Sequence, residues 1–350
     1  MSGVFLDWAA TSPTVRFHID TSKQWRNPNA AYAYEERKVL MDCEERIKAA
    51  IGAKGGHVLY FRCATDALEW LHGEGNERIM AWAHSPYEHD AAVFGIESKP
   101  DEWVSADFYC HQLVNQLTGE IHDIKSVHER LLQYDDVPFL ICDCTAAIHH
   151  VSLKAAKVCQ YANCICMSGH KLGCPDIAFM WIDDRLFDWL GGGNDDVRNQ
   201  WNLKHGSISV GHVLALADAV EWACDSKRLN DAEKRYIRLF DYLYCELKKA
   251  DIDFSVIADM NPSTCAINAI RLNGINADAL QQYCASKGVY IGVGGSACNA
   301  AGDFRVLNAY GLSNDEAAEV VRVSFDDETT KDDIDKLVSA IKEYKERFVV

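Results

Sequence analysis

Lys171 closes the tetrapeptide SGHK (168–171), directly after a short apolar run. A lysine just beyond a buried strand sheds water, which lowers its pKa and yields an amine suited to Schiff-base chemistry. A lone loop lysine is ordinarily just solvated, so its company matters. Asp143 ends the run PFLICD (138–143), where a carboxylate can pair with a cationic ring nitrogen or simply form a turn. Ala64 and Thr65 open a helical stretch, ATDALEW, behind a strand ending at Phe61. Helix-opening N–H groups with a Thr hydroxyl suit a phosphate, although Thr is also a common N-cap. His89, in the polar loop SPYEHDA, can stack on an aromatic group or shuttle protons. Cys298 lies in GVGGSACNAAG (292–302), without apolar neighbours, as a reactive thiol must when it meets first a substrate and then a partner. Arg322, within the apolar run VVRVSF, needs an anionic partner, and a substrate carboxylate offers it a bidentate one.

The elements that must position these residues alternate. Leu40, Cys43, Ile47 and Ile51 share one helical face between Asn29 and the break at Gly52–Gly56. Strands are expected at 57–61, 78–82, 108–114, 138–143, 164–168 and 176–182, and helices at 124–134 and 212–224. Such alternation implies an α/β fold with a largely parallel sheet covered on both faces. A polar helix at 229–250 precedes a smaller α/β layer, with strands at 254–259, 264–272, 289–294 and 320–325 and helices at 277–287 and 331–347. The expected division is a large domain over 14–245 and a small one formed by 1–13 and 246–350.

The bulk numbers set bounds. The 350 residues carry a formal net charge of -17, which repels phosphate backbones, and no dense Lys/Arg run offsets it, so direct nucleic-acid binding is not expected. The opening MSGVFLDWAATSP has no secretory pattern, and no apolar run reaches membrane-spanning length. The 14 cysteines lack CxxC pairs and read as reduced thiols, so a cytoplasmic location is expected. A metal cluster of Cys144, His149, His150, Cys164 and Cys166 is disfavoured because the spacing contains no paired ligand motif, and no metal is expected.

In order and near-family spacing, the segments FLDWAATSP, ATDA, YEHDA, VNQLTG, DCTAAI, SGHK, GGGND, GSAC and VRVSF resemble the cysteine desulfurases of the class V aminotransferase family. The resemblance covers nearly the whole chain. It implies the fold type I architecture of pyridoxal-phosphate (PLP) enzymes: a large domain with a mostly parallel central sheet and a smaller α/β domain carrying the cysteine loop. Carried over, it makes Lys171 the Schiff-base lysine, Asp143 the partner of the pyridine nitrogen, and His89 the residue that stacks on the ring and helps transfer protons. Ala64, Thr65, Ser168 and His170 would hold the phosphate, and Ser207 of KHGS would reach the phosphate of a second copy in a homodimer. Arg322 would bind the substrate carboxylate beside Asn115, and Cys298 would become the persulfide.

Two positions depart from the pattern. Ala146 stands where many relatives carry a Gln that bonds the cofactor's phenolic oxygen, and Gln116 aligns with the family's cofactor-contacting Asn, with Asn115 one place earlier. The implied activity is conversion of L-cysteine to L-alanine, with the sulfur passed to an acceptor protein. The chain ends soon after its last helix, and the loop after Cys298 is about two residues shorter than in housekeeping relatives. Both features suggest a dedicated donor for thio-modification of tRNA or DNA. A selenocysteine lyase or other class V enzyme, and a catalytically weak partner-binding scaffold, remain alternatives.

Overall fold

The computed structural model describes residues 3–77, 80–98, 106–174, 176–193, 197–258, 261–294 and 304–349. Two compact units emerge. One joins Thr14–Leu113 to Asp123–Leu229, and the other joins Met1–Pro13, Val114–His122 and Asn230–Val350. The junction expected at 245/246 thus falls within the helix Ser226–Lys249, whose chain changes unit at Leu229/Asn230.

The larger unit is built on a seven-stranded sheet. Its strands are β1 (His57–Phe61), β2 (Trp82–His84), β3 (Ile96–Glu97), β4 (Phe108–Cys110), β5 (Phe139–Asp143), β6 (Cys164–Ser168) and β7 (Ala178–Ile182). Their spatial order is β1-β7-β6-β5-β4-β2-β3. All run parallel except β7, which is antiparallel to both neighbours. The runs FLICD, CICMS and AFMWI are buried throughout except at Asp143, as strands covered on both faces require. The strand expected at 78–82 lies at Trp82–His84, and that expected at 108–114 ends its ladder at Cys110.

Helices cover this sheet. In α1 (Tyr34–Ile51) the residues Leu40, Cys43, Ile47 and Ile51 are all buried, and Gly52 ends the helix at φ +82°. α2 (Ala64–Glu77) follows β1 after two residues. α3 (Val210–Ala223) is apolar on almost every side and packs against α1. A polar helix, α4 (Ser226–Lys249), leads into the smaller unit.

The smaller unit holds an antiparallel sheet of β8 (Phe254–Val256), β9 (Ile267–Leu272), β10 (Gly292–Val293) and β11 (Val320–Ser324), ordered β10-β11-β9-β8. Beside it lie α5 (Ala277–Ser286) and α6 (Lys331–Phe348). Val4–Phe5 pairs in parallel with Val289–Tyr290. Among the described residues no helix is long and apolar enough to cross a membrane.

Candidate active site

Because β7 alone is reversed, β1, β2, β4, β5 and β6 all bring their carboxyl ends to one edge of the large sheet. Ligand sites of open α/β sheets lie outside that edge. Seven of the expected site residues stand there: Ala64 and Thr65 after β1, His89 after β2, Asp143 ending β5, and Ser168, His170 and Lys171 at and after β6. Asp143 is paired with Cys166 on the neighbouring strand, at a strand spacing of about 4.8 Å.

The Lys171 turn is fixed at both ends. Gly169 N–H donates to Ile177 O at 2.8 Å, where Ser168 pairs with Ala178, and Cys174 N–H donates to Gly169 O at 3.1 Å. Gly173, at φ +77°, follows the turn, and its carbonyl accepts from Arg16 N–H at 2.9 Å. Lys171 itself is buried, at 7% exposure. Ser168 Oγ and His170 Nδ1 are hydrogen-bonded at 2.8 Å.

Asp143 Oδ1 accepts the Thr145 N–H at 2.8 Å, so its carboxylate is oriented by its own turn. The Thr145 hydroxyl is buried without a hydrogen-bond partner. His89 caps a short 3₁₀ turn, its Nδ1 accepting the Ala91 N–H at 3.1 Å, which leaves the neutral ring's proton on Nε2. The loop before it is buttressed by Glu88, whose Oε1 accepts the Gln112 N–H at 2.8 Å.

His149 and His150, weighed in the sequence only as metal ligands, form a pair of rings 3.8 Å apart, with His149 buried and His150 half-buried. Burial holds His149 well below its ordinary pKa and His150 down to about 3, and the charges of Arg228 and Lys171 push both the same way. Both rings are therefore neutral. Arg228 donates to His149 O at 2.9 Å and lies over Trp222, with Arg16 over the same ring.

Ser207 is exposed in a cleft of about 370 Å³ that also carries Arg62, Lys204 and His205. Among the described lining residues of this cleft are neither Lys171 nor Asp143.

Within the smaller unit, Arg322 is 1% exposed, and its anionic partner is Asp7: Nε and Nη2 reach Asp7 Oδ1 at 3.0 and 2.7 Å. Nη1 donates to the Gln116 carbonyl at 3.1 Å. The Gln116 side-chain amide is buried with neither atom hydrogen-bonded. Asn115 Oδ1 instead accepts Leu117 N–H (2.8 Å) and Thr118 N–H (3.0 Å), so that oxygen caps its own turn. Asp7 was not singled out from sequence; the signal was an acid inside the apolar run VFLDW. Cys298 lies outside the described residues.

The residues of the large unit fit pyridoxal phosphate. A buried amine stands on a closed turn one strand from an oriented carboxylate, the residue whose N–H orients that carboxylate carries an unpartnered buried hydroxyl, and α2 opens at the same sheet edge. The 13 described cysteines are free, and among the described residues no group of His, Cys, Asp or Glu is arranged to hold a metal ion.

Comparison with known proteins agrees with this geometry. A putative cysteine desulfurase NifS of Halalkalibacterium halodurans is 21% identical over 98% of this chain and 98% of its own length. The cysteine desulfurase IscS of a Shewanella species is 26% identical over 65% of this chain, which spans 55% of that relative. Among solved structures, a NifS-like protein superposes with a TM-score of 0.80 at 18% identity, covering 98% of this chain and 99% of the other. The apo cysteine desulfurase of Thermococcus onnurineus NA1 gives 0.78 at 15% identity, covering 97% and 94%. The model of the class V aminotransferases matches residues 105–337, two thirds of the chain, and the protein belongs to that family of pyridoxal-phosphate enzymes.

Proposed function

We propose that this chain is a cysteine desulfurase, which takes sulfur from L-cysteine, releases L-alanine and holds the sulfur on Cys298 for an acceptor protein. The observation that carries the reading is the buried Lys171 on its closed turn, one strand from the oriented Asp143. The relatives named cysteine desulfurase support it.

When bound, pyridoxal phosphate supplies a conjugated ring that draws electron density from the substrate's α-carbon. Lys171 is the amine that holds the cofactor and the base beside that carbon. Asp143 would keep a proton on the ring nitrogen, and His89 would stack on the ring, with Nε2–H available as its donor. Ala64, Thr65, Ser168 and His170 hold the phosphate through N–H, hydroxyl and imidazole donors. The exposure of Ser207 beside Lys204 and His205 supports a role for it toward the phosphate of a second copy, in a homodimer.

Arg322 takes the substrate carboxylate. Of the neighbouring pair, the unpartnered Gln116 amide has both its oxygen and its N–H groups to offer a ligand, whereas the Asn115 oxygen is used by its turn. The Cys298 thiolate attacks the substrate sulfur: an S–S bond forms, the substrate's C–S bond breaks, and its electron pair takes up a proton to give alanine.

The purified protein is expected to carry a coloured, lysine-linked cofactor. Lys171→Ala should lose both the colour and alanine formation, while Cys298→Ser should keep the colour and lose sulfide release. Full sulfide release by Cys298→Ser would overturn the assignment of the nucleophile.

A further inference from the structure

The geometry of the Arg322–Asp7 pair restricts what the arginine can offer. A guanidinium carries five N–H donors. Asp7 Oδ1 takes one from Nε (3.0 Å) and one from Nη2 (2.7 Å), and the Gln116 carbonyl takes one from Nη1 (3.1 Å). One donor remains on each terminal nitrogen. With Asp7 along the side edge, the second Nη2 N–H points along the end edge, and a second carboxylate can meet the guanidinium only through the donors left on Nη1 and Nη2.

Both partners are held in place. Arg322 sits inside β11, paired with Ala269 on one side and Gly292 on the other. Asp7 bridges to Ser324 in parallel register, Ser324 N–H donates to Leu6 O at 2.8 Å, and Ser324 Oγ accepts the Ala9 N–H at 2.9 Å. Gly292 leaves just enough room. A Cβ there would lie 2.7 Å from Asp7 Oδ1 and 3.0 Å from Arg322 Nε.

We propose that Asp7 is a positioning residue, which occupies the side edge of Arg322 so that its end edge alone faces the carboxylate of the amino-acid substrate. This rests on the reading that Arg322 receives that carboxylate.

Steady-state kinetics of the holoenzyme on L-cysteine test this, with the melting temperature of each variant measured in parallel. Arg322→Ala should raise KM by more than about tenfold, the scale of losing a charge-assisted bidentate contact. Asp7→Ala should raise KM by about tenfold with kcat within about threefold of the parent, because the guanidinium is then free to turn. Asp7→Asn, whose Oδ1 still accepts both N–H groups, should restore KM to within about threefold. A pair that only stabilises the fold would lower the melting temperature in both Asp7 variants and leave KM unmoved. If Arg322→Ala leaves KM unchanged, the carboxylate reading fails, and the proposal with it. If Arg322→Ala raises KM and Asp7→Ala does not, or if Asp7→Asn is as impaired as Asp7→Ala, the proposal alone falls. Should Asp7→Ala not fold, Gly292→Ala decides: it crowds the same two atoms without removing a charge, so a raised KM with kcat retained supports the proposal and an unchanged KM overturns it.

Discussion

Gly173 shows how tightly the lysine turn is held. Its φ of +77° is costly for any residue with a side chain, and a Cβ there would sit 2.4 Å from Thr14 O and 3.0 Å from Arg16 N. Both obstacles are backbone atoms, which cannot swing away as a long side chain can. Gly173→Ala is therefore expected to destabilise the protein by about 2–4 kcal/mol and to loosen the cofactor; urea titration and cofactor retention on gel filtration check this. Much of this site was legible in the sequence, because SGHK, DCTA and ATDA each follow a strand directly and local order alone puts them at strand ends. Asp7 was not legible. Its partner stands 315 positions away, and nothing in VFLDW says which cation its carboxylate meets. His149 and His150 were legible as residues in an apolar stretch, but their ring-on-ring pairing was not, because spacing alone does not say which way two neighbouring side chains turn.

At the scale of elements, β1 is the outer strand of the large sheet, and its outward groups are met by side chains. Glu44 Oε1 accepts Val58 N–H (3.2 Å), Gln200 Oε1 accepts Tyr60 N–H (2.7 Å), and Lys204 Nζ donates to Tyr60 O (3.1 Å). Such cover blocks edge-to-edge association. Glu44 is 2% exposed, and burial pushes its carboxyl up to about 7, against the opposing pull of Lys48. A raised acid binds its proton more tightly in the folded chain than in the unfolded one. Its contribution is thus fully present below pH 4.5 and is lost as pH rises through 7, amounting to about 3 kcal/mol at most. Glu44→Gln keeps the acceptor and removes the charge, so its melting temperature should exceed the parent's at pH 8 and approach it as the pH falls below 4.5. Equal melting curves at pH 8 would show that Glu44 is not desolvated. The existence of most strands was legible from apolar runs, since HVLYF and CICMS occupy the predicted residues. Two features were not. Alternation carries no direction, so the reversal of β7 left no mark. The run FYCHQLV continued as apolar sequence past Cys110, although His111 N–H and Leu113 N–H still donate to β5 carbonyls, and from Val114 the chain joins the other unit.

For the molecule as a whole, the smaller unit is assembled from three separate stretches. Val4–Phe5 pairs with Val289–Tyr290, Asp7 holds Arg322, and Leu117 packs in one apolar cluster with Ala269, Leu307 and Val320. A fragment of residues 230–350 would keep Arg322 buried without its anion and would open the cluster at Leu117, losses of the kind that unfold a small domain. It should show neither a cooperative thermal transition nor dispersed amide resonances, and a folded fragment would mean that the first 13 residues are dispensable to that unit. The same patchwork orders the steps of biosynthesis. A ribosome delivers Asp7 some 315 residues before Arg322, so the nascent acid waits through as many additions before its cation exists. All residues of the larger unit have been added by Leu229, whereas the smaller one must hold its opening segment in reserve until the stretch from Asn230 onward follows. The Asp7–Arg322 pair consequently comes into being only after every residue of the larger unit has been added, and a chain terminated before Arg322 is born without it.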